Sequence, residues 1–185
     1  VDRLKFEPFG REFFSGKKKD EDKRVKLLKN CELFENISQS ILEKLAELLH
    51  ERKFEKDEVI FSQDEPASAM FLIESGKVLI YREGSGDEKQ ELATLEKQDF
   101  FGELAICEDH KRTASAVAIE ETKIQVLFRQ EFLKFAHRNI EHGFKILLNL
   151  ARMVGRKLRD VNHRYYKLFE KIELVEKENE VETEE

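Results

Sequence analysis

Between Ser38 and Leu49 the apolar positions fall at helical spacing. Ile41, Leu42, Leu45, Leu48 and Leu49 form an i, i+3, i+4, i+7 stripe, and Ser40 and Glu43 have the spacing of a capping box that would begin the helix. From Arg52 to Phe128 the period changes to two. Six short runs carry it: Val59–Phe61, Met70–Ile73, Val78–Tyr81, Glu91–Leu95, Ala114–Ala118 and Lys123–Leu127. Turn signals separate them, at Asp64-Glu65-Pro66, Glu74-Ser75-Gly76 and Gly84-Ser85-Gly86-Asp87. Short strands at this spacing, with no helices between most of them, predict a β-sandwich or closed barrel and argue against a parallel βαβ sheet.

After Phe128 the pattern turns helical and stays so. Leu147, Val154, Val161, Leu168 and Val175 recur every seven residues, and Ala151, Leu158, Tyr165 and Ile172 do so four residues later. This is an a/d seam. A helix over 140–176 would be ~55 Å long, longer than a small barrel, so the far half of the seam needs a partner. The simplest partner is the same helix of a second chain, which predicts a homodimer. The first thirty residues read less clearly. Phe6, Phe9, Phe13 and Phe14 are loosely helical in spacing, but Pro8, Gly10 and Gly16 interrupt them, and Lys17–Lys29 is dense in charge. The organisation expected is a linker or helical segment over 1–30, a β-domain over 31–138, and a long helix with an acidic tail over 139–185.

Composition narrows the class. The 185 residues suit one domain with an appendage, and 15 Phe argue against wholesale disorder. The net charge of −6 sits in the tail: residues 170–185 hold eight Glu and two Lys, which leaves the rest neutral. A neutral body with an acidic tail is a poor match for a nucleic-acid backbone. Cys31 and Cys107 are far apart and form no CxxC pair, so neither a disulfide framework nor a zinc finger is expected, and Cys107 reads as a buried structural thiol. No apolar run approaches ~18 residues, so no membrane span is expected. With no leader visible at the start, the expected location is cytoplasmic.

The stretch that carries chemistry is Phe100–Ala118. Gly102 permits close approach of backbone N–H groups to a ligand, and successive N–H groups in a turn make a nest for an anion. Arg112, ten residues on, can return across the turn to give a phosphate two hydrogen bonds, and Thr113 adds a hydroxyl. Glu103 is wrong for a phosphate but suits a sugar hydroxyl. One phosphate, one ribose hydroxyl and one Arg describe a small nucleotide. Without a P-loop Lys or a magnesium ligand, a triphosphate fits poorly.

Gly102-Glu103-Leu104-Ala105 with Arg112-Thr113-Ala114 resembles the phosphate-binding cassette of the cyclic nucleotide-binding domain family, which includes catabolite activator protein, protein kinase A regulatory subunits and cyclic nucleotide-gated channels. The resemblance runs from about Leu28 to Arg159. It implies a mainly β fold with flanking helices: an eight-stranded jelly-roll (double-stranded β-helix) barrel with a long C-terminal helix. It further implies that Glu103 accepts from the ribose 2′-hydroxyl and that Arg112 pairs with the cyclic phosphate. Backbone groups of Leu104, Ala105 and Thr113 would complete the cradle, and Ile80, Leu92 and Ala93 would wall the pocket. The ligand it implies is a cyclic nucleotide, with cAMP expected in preference to cGMP; Thr113 resembles cassettes of both preferences. Where catabolite activator protein reaches the adenine from its long helix, this chain has Val161 and Asn162. Only Asn162 can hydrogen-bond through its side chain, with Arg159 and Asp160 as neighbours of comparable standing.

No nucleophile–base–orienter set and no metal constellation is visible in the sequence, and an enzyme is not expected. His110 reads as solvent-facing. Only about twenty residues follow Tyr165, an acidic stretch too short for a helix-turn-helix domain, so no DNA-binding domain is expected in this chain. The expectation is a regulatory module that binds a cyclic nucleotide, dimerises through its long helix and shifts that helix about a hinge near Phe132–Asn139. The alternative is a scaffold that keeps the fold and docks through its coiled coil. No downstream effector can be read from the sequence.

Overall fold

The computed structural model describes residues 12–84 and 89–183, with side chains over 20–84 and 89–172. The phenylalanines before Glu12, the Ser85–Asp87 part of the third turn signal and the side chain of Val175 therefore lie outside the described residues. The chain divides into two units, Val1–Leu147 and Leu148–Glu185.

The first unit opens with helix α1 (Glu12–Lys29). It continues through Gly16, where the sequence predicts an interruption. Its last turns bury Val25, Leu27 and Leu28, and it packs on α2 (Gln39–Ala46), so tertiary burial outweighs the weak propensity of one glycine. A 3-10 turn, Glu32–Phe34, joins the two helices. Helix α2 begins at N-cap Ser38 with no side-chain cap bond, so the capping box expected at Ser40 does not form. Ile41, Leu42, Leu45 and Ala46 are buried as the stripe predicts, but the helix ends at Ala46 and Leu49 already begins a strand.

Eight strands follow among the described residues: β1 (Leu49–Phe54), β2 (Val59–Phe61), β3 (Ala69–Ser75), β4 (Val78–Glu83), β5 (Lys89–Leu95), β6 (Phe100–Phe101), β7 (Ser115–Ala118) and β8 (Thr122–Phe128). They form two antiparallel four-stranded sheets, ordered β1-β8-β3-β6 and β2-β7-β4-β5. No ladder joins the sheets, so the expected jelly-roll barrel is an open two-sheet sandwich among the described residues. Strands β1 and β6 were not legible. The first is an exposed, charged edge, His50-Glu51-Arg52-Lys53, made a strand by its register with β8, and the second is two residues long.

Both sheets feed the core. Phe71, Ile73, Phe101, Ile124 and Val126 of the first sheet meet Val78 and Ala116 of the second, with Phe61 and Ile80 packed against them. The alternate residues of β3, Met70 and Leu72, are also fully buried. Strand β3 thus needs cover on both faces; a 3-10 turn over Glu103–Ile106 packs against it, and α3 (Arg129–Arg138) packs on β8 and on that turn.

Asn139, with φ −129° and ψ 60°, breaks the helix. Its Nδ2 donates to the Phe135 carbonyl at 3.0 Å, and its own carbonyl accepts from Gly143 N–H at 2.8 Å. Gly143 has no room for a side chain: a β-carbon there would stand 2.7 Å from Cβ of Ala136. Helix α4 (Ile140–Thr183) then runs unbroken for 44 residues. In the second unit the seam positions Leu158, Val161, Tyr165, Leu168 and Ile172 are exposed, and so are Tyr166 and Phe169, which the heptad reading does not include.

Candidate functional site

The cassette is built where β6 ends. Gly102 adopts φ +68°, in the left-handed region where a side chain is strained, and starts the Glu103–Ile106 turn. A β-carbon on Gly102 would also lie 2.6 Å from Nη1 of Arg112. Two independent reasons, backbone conformation and space, therefore require glycine here.

Arg112 is brought to Gly102 by the loop between β2 and β3. Its N–H donates to the Glu65 carbonyl at 2.8 Å, and its carbonyl accepts from Asp64 N–H at 2.9 Å. Ala67 N–H donates to the His110 carbonyl at 2.9 Å, and Pro66 bridges Lys111. At the exit, Gln63 N–H donates to Ser115 Oγ at 2.8 Å. The cassette return is thus zipped to that loop before β7 begins.

The Arg112 side chain is 6% exposed. Its Cζ stands 4.2 Å from the Phe61 ring centroid and 5.2 Å from that of Phe71, a cation–π shelf. Nη2 donates to the Ala69 carbonyl at 2.8 Å, while buried Nε has no hydrogen-bond partner. Burial lowers the guanidinium to about 10, against an opposing pull from Glu65, so it stays charged at neutral pH. A charged, buried donor set with one orphaned N–H suits a small anion better than it suits bare core. Glu103 is buried nearby in the chain, and its charge acts on Cys31, whose thiol burial pushes up to about 12.

The pocket wall lies in the second sheet. Phe61 pairs with Ala116, Ala116 with Ile80 and Ile80 with Ala93, so one row crosses all four strands on one face. Phe61, Ala116 and Ile80 pack in the core, which makes that face the inner one, yet Ala93 is exposed. The space between the sheets is therefore open at β5. The register slips between Ile80 and Tyr81, which pair with Ala93 and Glu91, and leaves Leu92 as a bulge, 48% exposed.

Of the residues expected from the sequence, Gly102 and Arg112 come together, Ile80 and Ala93 are paired, and Leu92 adjoins them on β5. Leu104 is half-buried, Ala105 and Ala114 are buried, and Thr113 is exposed. Asn162 is an exposed residue of the second unit. Three expectations need correction or addition. Cys107 is exposed rather than buried, although partial burial and Glu108 still raise its thiol. His110 is half-buried, its side chain 22% exposed, because the zipped return holds its backbone. The shelf of Phe61 and Phe71 was missed, since alternation marks both rings only as core.

An antiparallel sandwich open at one edge, with a buried guanidinium in its inner wall, is a small-ligand-binding β domain. Residues 51–139 match the family model described as the cyclic nucleotide-binding domain, and this segment is a member of that family. The chain is 30% identical over 137 residues to the Cyclic AMP receptor protein of Thermus thermophilus, covering 73% of this chain and 61% of the relative. It is 30% identical over 112 residues to a cGMP-dependent protein kinase of Caenorhabditis briggsae, covering 60% of this chain and 15% of the kinase. The crystal structure of Thermus thermophilus Catabolite Activator Protein superposes with a TM-score of 0.67 at 29% identity, over 74% of this chain and 62% of that one. The chain thus spans under two thirds of each of these proteins. Among the described residues, no helix is long and apolar enough to cross a membrane.

Proposed function

We propose that this chain is a non-catalytic cyclic-nucleotide sensor module that takes cAMP in preference to cGMP. Arg112 pairs with the cyclic phosphate, Glu103 accepts from the ribose 2′-hydroxyl, and backbone groups of Leu104, Ala105 and Thr113 close the cradle. Ile80, Leu92 and Ala93 wall the sugar and base. The observation that carries this reading is the buried Arg112 guanidinium with its orphaned Nε beside Gly102.

The same reading gives α4 a second role. Its exposed stripe, Leu158, Val161, Tyr165, Leu168 and Ile172, meets the same stripe of a second copy in a parallel seam. Ligand orders the cassette, and the break at Asn139 lets the long helix change direction. Such a shift can be no larger than the difference in affinity between the two states. The test is calorimetric titration of cAMP and of cGMP, with mass in solution measured before and after. Saturable cAMP binding by a dimer is expected; no heat with either nucleotide at millimolar concentration would refute the sensor.

A further inference from the structure

A second cavity of about 510 Å³ lies beneath the first turn of α3 and touches the cassette only at Asp109 of its return. Its size is that of small-molecule sites. Its apolar wall is Ala67 and Phe128, and its polar rim is His50, Asp109, Arg129, Glu131 and Lys134. Neither Gly102 nor Arg112 lines it.

The rim charges are unevenly satisfied. Glu131 is committed: both carboxylate oxygens lie 2.9–3.1 Å from His50 Nε2, and that ring packs edge-on to Phe128 at 5.3 Å. Arg129 is not committed. Its Nη1 is buried without a hydrogen-bond partner, and the ion-pair partner, Asp109 Oδ1, is 3.6 Å away, beyond N–H···O distance. The Asp109 side chain is 82% exposed and holds the guanidinium only loosely. Lys134 has no ion pair among the described residues. Two cations, Arg129 and Lys134, thus line the same cavity as this apolar wall, and Nη1 of Arg129 lies buried without a hydrogen-bond partner.

We propose that this cavity is a second binding site, for an organic anion that carries a phosphate monoester or carboxylate on a small apolar body. The anionic group takes the orphaned Arg129 N–H and pairs with Lys134, and the apolar body lies on Ala67 and Phe128. Occupancy replaces the loose Asp109 contact. Asp109 belongs to the cassette return and Arg129 is the first residue of α3, so the site stands on the link between the cassette and the hinge. Any effect of this anion on cassette affinity is matched by an equal effect in reverse.

The experiment uses the full chain labelled with 15N, titrated separately with phenyl phosphate, benzoate and inorganic phosphate. Phenyl phosphate is expected to give saturable shifts at His50, Ser68 and Phe128–Glu131. Benzoate reads the carboxylate arm, and inorganic phosphate, lacking the apolar body, binds more weakly. Arg129→Gln lowers phenyl phosphate affinity by about tenfold or more, and exposed Lys134→Gln lowers it without touching the core. No saturable shift up to about 10 mM, shifts centred on Gly102–Ala105 and Arg112, or unchanged affinity in Arg129→Gln would each overturn the site. None of these results bears on cyclic-nucleotide binding, which is read by separate calorimetry.

Discussion

Gly102 and Arg112 are packed so closely that a single added carbon on the first would collide with the guanidinium of the second, at 2.6 Å from Nη1. The Gly102 turn and the buried Arg112 cation are therefore one mechanical unit. The first prediction is that Gly102→Ala destabilises the fold by about 1–3 kcal/mol through its φ of +68° and this clash. A thermal scan should show Tm falling by about 2–4 °C for each kcal/mol lost. Unaltered Tm would mean that Arg112 is free to leave its shelf.

Arg112→Ala is expected to weaken cAMP binding by about 30-fold or more, since the buried phosphate loses its counter-charge. Arg112→Lys should recover only part, because an ammonium cannot supply two parallel N–H bonds. Calorimetry on both variants, with circular dichroism as a check of folding, reads this. Equal affinities across wild type and both variants would remove Arg112 from the site.

The two cysteines should behave differently. Exposed Cys107 is expected to titrate with a disulfide reagent in the native protein, slowly near neutral pH because its thiol is raised, while Cys31 reacts only after unfolding. Counting thiols before and after denaturant distinguishes one equivalent from two.

Cys31 also leaves a mark on stability. The unfolded thiol ionises near 9.0 and the folded one at about 12, so above pH 9 the unfolded state sheds its proton first. Stability then falls as pH rises, by about 1.4 kcal/mol per unit at the limiting slope. Across the window pH 9 to 10 Arg112, at about 10, also begins to discharge, so the thiol is read from the difference between wild type and Cys31→Ala. Denaturant melts across this window should be flatter for Cys31→Ala than for wild type; parallel curves would show that the thiol is not desolvated.

Leu158→Asp with Leu168→Asp places charges at exposed positions of α4, which should spare the β-domain and disrupt the dimer. If α4 pairs as proposed, sedimentation should show dimer for wild type and monomer for the variant at the same concentration. Cyclic-nucleotide binding should survive the change.

Local pattern alone was enough for much of this chain. The six runs became β2, β3, β4, β5, β7 and β8, because short apolar runs bounded by turn signals favour strands. The return of Arg112 across the turn to Gly102 was legible from their ten-residue spacing, and the fold brings the two together. Strand β1 was not, since its residues are charged and only its ladder to β8 makes it a strand. The inner face of Ala93, the bulge at Leu92 and the ring shelf under Arg112 came from pairing between distant segments. The orphaned Arg129 Nη1 beside Asp109 has the same origin, for nineteen residues of chain lie between them. Periodicity is a property of neighbours in sequence and was written there; desolvation, register and unmet hydrogen bonds are properties of neighbours in space, and only packing created them.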